Sequence, residues 1–135
     1  MRLLGRLLNP TDVIHAHCDL PCGVYDPAQA RIEAESIKGI LDKYAGNDDP
    51  AFRARAIVIK EERAELVKHH LWVLWTDYFK PEHVEKYPQL HQLFWDATKL
   101  AGAAGAKGQL DPAVAQQLLD KIAEIDKIFW ETKKA

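Results

Sequence analysis

The sequence predicts an all-α protein: an up-down-up-down four-helix bundle with a short cysteine-bearing hook ahead of it. Two observations carry this. Apolar residues recur at alternating spacings of three and four in four separate segments, the seam of packed helices. The dipeptide Asp-Pro occurs at 26-27, 49-50 and 111-112, each time just before such a segment. Aspartate caps the orphan N–H groups of a first helical turn. Proline at the first helical position loses nothing, because its missing N–H has no partner there anyway.

The first seam runs Ala30, Ala34, Ile37, Leu41, Tyr44, and Gly46-Asn47 stops it. The second runs Ala64, Val67, Leu71, Leu74, Tyr78 in a helix expected from Pro50 to Phe79, about 45 Å long at 1.5 Å per residue. Pro81 ends it, since proline cannot donate inside a helix. An irregular turn is expected from Glu82 to Tyr87, with Pro88 opening the third helix. That seam is Tyr87, Leu90, Phe94, Ala97, Ala101, Ala104, with Gly102, Gly105 and Gly108 fraying its end. The fourth seam is Ala115, Leu118, Ile122, Ile125, Phe129. Trp72, Trp75 and Phe79 crowd the end of the second helix with more apolar surface than one bundle face uses, which predicts a subunit interface.

A chain of 135 residues, 47% apolar and 28% charged, suits one globular domain with a core of its own. Metal is therefore not needed to hold the fold. A net charge of −2 with no basic stripe argues against nucleic acid. No apolar run approaches the ~20 residues of a membrane span. In the leader, MRLLGRLLNPTDVIHA, Gly5 and Arg6 interrupt the leucines, so it lacks the core of a secretory signal. The expected location is cytoplasmic, where two cysteines point to metal or redox chemistry over a structural bridge.

Both cysteines, Cys18 and Cys22, stand in HCDLPCGVY, residues 17–25, ahead of the first Asp-Pro cap. Bare C-x-x-x-C is compatible with a redox pair, two zinc ligands or two ordinary small residues. Cleavage between Ala16 and His17 would change the donors. His17 would offer a free amine and an imidazole, Cys18 an amide and a thiolate, and Cys22 a second thiolate. Two nitrogens and two sulfurs can form a square plane, with the imidazole above it. That geometry suits Ni(II) or Cu(II), whereas zinc prefers a tetrahedron.

HCDLPCGVYDPAQARIEAES resembles the start of the mature nickel-containing superoxide dismutases. The resemblance continues through GNDDP, VIKEERAELVKHH, LWTDYFKP, EKYPQLHQL and IDKIFWETKKA, and so spans residues 17–135. It implies a propeptide over 1–16, removed by a processing protease at Ala16-His17, and a bundle over 17–135 that assembles as a homohexamer. It implies one nickel ion per subunit, held by His17, Cys18 and Cys22 in a metal-binding hook over 17–25. The implied reaction is disproportionation of superoxide through a Ni(II)/Ni(III) cycle. Glu33 and Arg63 match residues that hold the axial imidazole, and a carboxylate on the distal ring nitrogen fixes tautomer and orientation. Tyr25 and Tyr78 match tyrosines beside the open face of the metal, and Asp19 and Lys80 match further neighbours of the site. Taken alone, Glu33 and Arg63 read as surface helix charges, and Tyr78 as the last position of a seam.

The rival readings are a non-catalytic nickel-binding bundle and a cytosolic thiol-disulfide protein. The remaining histidines give neither reading support. His69 and His70 are adjacent on a helix and face about 100° apart. No H-E-x-x-H, no repeated Glu-x-x-His and no glycine-rich phosphate loop is present.

Overall fold

The computed structural model describes residues 23–134. The described chain is helical throughout: α1 (Ala28–Ala45), α2 (Pro50–Val73), α3 (Pro81–Lys86), α4 (Leu90–Leu100) and α5 (Pro112–Lys134). Helix α1 packs on α2 and α5, α5 on α4, and α4 on α2, which closes the four long helices into a bundle.

All three aspartates of the Asp-Pro pairs cap their helices. Asp49 accepts from the N–H groups of Ala51 and Phe52. Asp26 accepts from Ala28 at 2.8 Å and Asp111 from Ala113 at 2.9 Å. At the first pair the helix opens one residue later than the sequence suggests, with Pro27 in the cap position.

The seams become the core. Ala30, Ala34, Ile37 and Leu41 meet Ala64, Val67, Leu71 and Leu74 across α1 and α2, and Leu118, Ile122, Ile125 and Phe129 close over them from α5. These side chains are essentially solvent-free. At about 25 cal/mol per Å² of apolar surface, such burial is the main force holding the bundle.

Three local expectations are corrected. Residues 81–86 form α3 where an irregular turn was expected, because Pro81 occupies the first helical position. The next helix opens at Leu90, two residues after Pro88. Phe79 is 8% exposed and packs on Phe94 and Phe129, so the core part of its expected role holds and little of its ring is left exposed. Ala104 is exposed, and Ala106 is buried in its place.

The glycines after α4 likewise do more than fray it. The Ala106 N–H donates to the Leu100 carbonyl at 2.7 Å, and a Cβ at Gly105 would collide with the Leu100 backbone. The loop is further held by Lys60, 2% exposed on α2, whose ammonium donates to the carbonyls of Lys107 (2.9 Å) and Gln109 (3.1 Å).

Helix α2 does not end as a plain α-helix. A π-helical turn covers Leu74–Tyr78 and is closed by the Phe79 N–H on the Leu74 carbonyl at 2.9 Å. Phe79 then turns extended. The wider turn and the break let Tyr78 and Phe79, adjacent in sequence, both face Phe129. Single π turns are often found at functional sites.

Candidate metal centre

The site is built around two tyrosines. Tyr25 lies just before α1, is 8% exposed, and brings its ring within 5.7 Å of Tyr78 at the end of the π turn. The Tyr78 ring is held by Phe129 at 4.3 Å, Phe79 at 5.0 Å and a stacked His83 at 5.7 Å. Its hydroxyl lies 2.8 Å from Thr132 Oγ1 on α5. The chain reaches Tyr25 through Gly23, whose φ of 72° is a conformation glycine adopts without strain. The Gly23 carbonyl accepts from the Lys133 ammonium at 3.1 Å. The described end of the chain is thus tied to the last turn of α5.

Glu33 and Arg63 pair across α1 and α2, with Arg63 donating to Glu33 Oε2 at 3.1 Å. The Glu33 side chain is 16% exposed and that of Arg63 38%. A carboxylate largely covered by protein and held by a guanidinium is more than a solvated helix charge. The arginine fixes its position and leaves acceptor capacity on the carboxylate. Lys80 is exposed just ahead of α3, where its N–H donates to His83 Nδ1 at 3.2 Å.

The structure therefore joins Tyr25 to Tyr78 and Glu33 to Arg63, and leaves Lys80 on the surface two residues beyond Tyr78. His17, Cys18, Asp19 and Cys22 lie outside the described residues. Among the described residues, no group of three or more His, Cys, Asp or Glu side chains could hold a metal ion. Two thiols and an imidazole, as the hook carries in Cys18, Cys22 and His17, are donors whose chemistry fits nickel.

Sequence reasoning passed over Thr132, His83 and Lys133. Thr132 carried a signal: it extends the fourth seam by three residues beyond Phe129, where a hydroxyl is out of place unless it has a partner. His83 carried none, because its contact with Tyr78 depends on α3 and the π turn together.

The described residues define a helical bundle in which the buried Tyr25 meets the partly buried Tyr78, behind the segment that bears both cysteines. The model of the family "Nickel-containing superoxide dismutase" matches residues 12–133. The chain is 67% identical to "Superoxide dismutase [Ni]" of Streptomyces coelicolor over 133 residues, 98% of this chain and 100% of the relative. It is 65% identical to the protein of the same name from Streptomyces seoulensis, with the same coverage. A solved native nickel superoxide dismutase is 70% identical, with a TM-score of 0.84 over 88% of this chain and 100% of its own. The chain belongs to the nickel-containing superoxide dismutase family.

Proposed function

We propose that residues 17–135 form a superoxide dismutase, active once residues 1–16 have been removed between Ala16 and His17. One superoxide gives up an electron and leaves as oxygen. A second takes up that electron and two protons and leaves as hydrogen peroxide. When bound, nickel supplies the one-electron relay between Ni(II) and Ni(III). Thiolates and a deprotonated amide lower the cost of its oxidised state, and the ligands must shed protons to bind it. His17, Cys18 and Cys22 are the residues to hold it, one ion per subunit.

The chain's own residues prepare that relay. Glu33, fixed by Arg63, has an acceptor oxygen to orient the His17 imidazole. Tyr25 and Tyr78 form a close-packed wall that admits a small anion and orders water beside it. Asp19 is a further neighbour of the site, and the exposed ammonium of Lys80 attracts superoxide.

The observation that carries the reading is a relative whose histidine at residue one has been replaced by alanine. Relatives substituted at an aspartate three and a tyrosine nine are also known. The spacing of those three residues is that of His17, Asp19 and Tyr25, which supports His17 as the first residue of a processed chain. In agreement, the curated relatives align with 98% of this chain, whereas the solved relative is fully covered by 88% of it.

No helix among the described residues is long and apolar enough to cross a membrane. We place the enzyme in the cytoplasm, as a homohexamer, with superoxide and the processing protease as its other partners. It has no partner in nucleic acid or membrane. The test is the chain with Ala16-His17 made uncleavable. There the His17 nitrogen is an amide, and the hook has no α-amine with a pKa of ~7.7–8 at that position for nickel to bind. That protein, supplied with nickel, is expected to lack dismutase activity, whereas the cleavable chain, once cut at that bond, is expected to be active. Full activity with the leader attached would overturn the reading.

A further inference from the structure

We propose that Thr132 is a positioning residue for Tyr78, one that fixes the phenol as a hydrogen-bond donor to α5 and leaves its oxygen an acceptor toward everything else. The inference rests on the reading of Tyr78 as a wall of the metal centre, and it adds a residue and a polarity to that reading.

The polarity follows from counting protons. A threonine hydroxyl has one proton to donate and two lone pairs, and a phenol has one proton. Thr132 Oγ1 lies 2.7 Å from the Phe129 carbonyl, which can only accept. Tyr78 Oη lies 3.5 Å from the same carbonyl, too far for a strong bond. Thr132 therefore donates to Phe129. The contact of 2.8 Å between the two hydroxyls is then Tyr78 donating to Thr132. The order is Tyr78 O–H to Thr132 O–H to the Phe129 carbonyl.

Two consequences follow. The chain ends on a backbone carbonyl, which has no proton to pass on, so it is no route for protons from solvent. With its own proton committed to α5, Tyr78 meets water or peroxide through lone pairs alone. It orients such a molecule and does not protonate it. The aromatic packing of Phe129, Phe79 and His83 holds the ring, but a ring contact does not set the rotation of the hydroxyl. Thr132 does.

The test uses the reduced holoenzyme labelled with ¹³C at the tyrosine Cζ, with Tyr78 assigned from the signal lost in Tyr78→Phe. In an equal mixture of H2O and D2O, a hydroxyl locked as a donor exchanges slowly and splits its Cζ signal. One that donates to water exchanges quickly and gives a single averaged signal. The wild type is expected to show a split Tyr78 signal, Thr132→Val a single one, and Thr132→Ser a split one again. Dismutation by Thr132→Val is expected to fall about tenfold, the low end of what outer partners of a metal site contribute. Nickel content and solvent isotope effect should stay unchanged, and Thr132→Ser should recover the rate.

A single averaged signal in the wild type would overturn the assigned polarity. A changed solvent isotope effect in Thr132→Val would overturn the positioning role in favour of proton delivery. A Thr132→Val enzyme of full activity, or a Thr132→Ser enzyme as impaired as Thr132→Val, would remove Thr132 from the site. The resonance reading needs no turnover, so failure of the dismutase reading would show in the wild-type assay and not there.

Discussion

Cys18 and Cys22 are the only thiols of the chain, and both lie outside the helical seams. Cys18→Ser or Cys22→Ser exchanges a thiolate for a hydroxyl that stays protonated near neutral pH. Each is expected to abolish the Ni(III) electron paramagnetic resonance signal while the far-ultraviolet circular dichroism keeps its helical form. A serine variant that retains nickel-dependent dismutation would refute the ligand set. Glu33 and Arg63 act one step further out. Replacing either with alanine is expected to lower turnover by about 10- to 100-fold, the range for outer partners of a metal ligand. Nickel content should fall much less, because neither side chain donates to the metal. Unchanged turnover in both variants would return the pair to the ordinary ion pairs of the surface, such as Arg31 with Glu35.

Between helices, Lys60 shows how an element is held. Its ammonium is buried on α2 and satisfied by two carbonyls of the loop between α4 and α5. Lys60→Met leaves those carbonyls without their donor, and is expected to cost about 1–3 kcal/mol and to open the loop to proteolysis. Burial lowers the Lys60 pKa from its ordinary 10.5, with neighbouring Glu61 opposing the shift. In the window between the lowered value and 10.5 the unfolded chain binds more protons, so wild-type stability should rise with pH there. The Met variant lacks that rise, so denaturant titrations across the alkaline range should show the gap between the two proteins widening. A constant gap would mean that Lys60 is not desolvated as described. This lysine also marks where sequence reading stops. The four seams and three Asp caps were legible because helix periodicity and capping are local. The loop anchor joins residues 47 and 49 positions apart, and the π turn depends on Phe79 finding Phe94 and Phe129. At the metal centre, the hook of His17, Cys18 and Cys22 stood out in the sequence because it is one short segment, and it lies outside the described residues. The bond from Tyr78 to Thr132, across 54 positions, was not legible there.

At the scale of the whole molecule, the surface is not uniformly polar. Trp72 and Trp95 are 44% and 54% exposed, and with Trp75, His91, Phe94 and Thr98 they line a depression of about 150 Å³ between α2 and α4. Lys68 lies over Trp72 and Lys99 over Trp95, covering part of each ring. A second depression, lined by Ile40, Phe52, Ala56 and Ile59 with Lys43 and Arg55 beside them, lies between α1 and α2. The proposed homohexamer, built with dihedral symmetry, would need two different contacts, one closing dimers and one closing trimers. Two separate depressions with partly exposed apolar side chains on one subunit are the candidates for those contacts. Trp72→Glu combined with Trp95→Glu places charge in one patch, and Phe52→Glu places it in the other. Sedimentation is expected to show each set reducing the hexamer to a dimer or a trimer, a different one for each, and all three substitutions together giving monomers. Helical content should be kept throughout, since the tryptophans lie outside the core and Phe52 at its rim. Hexamers surviving both sets would place the subunit contacts elsewhere, and monomers from either set alone would reduce the two contacts to one.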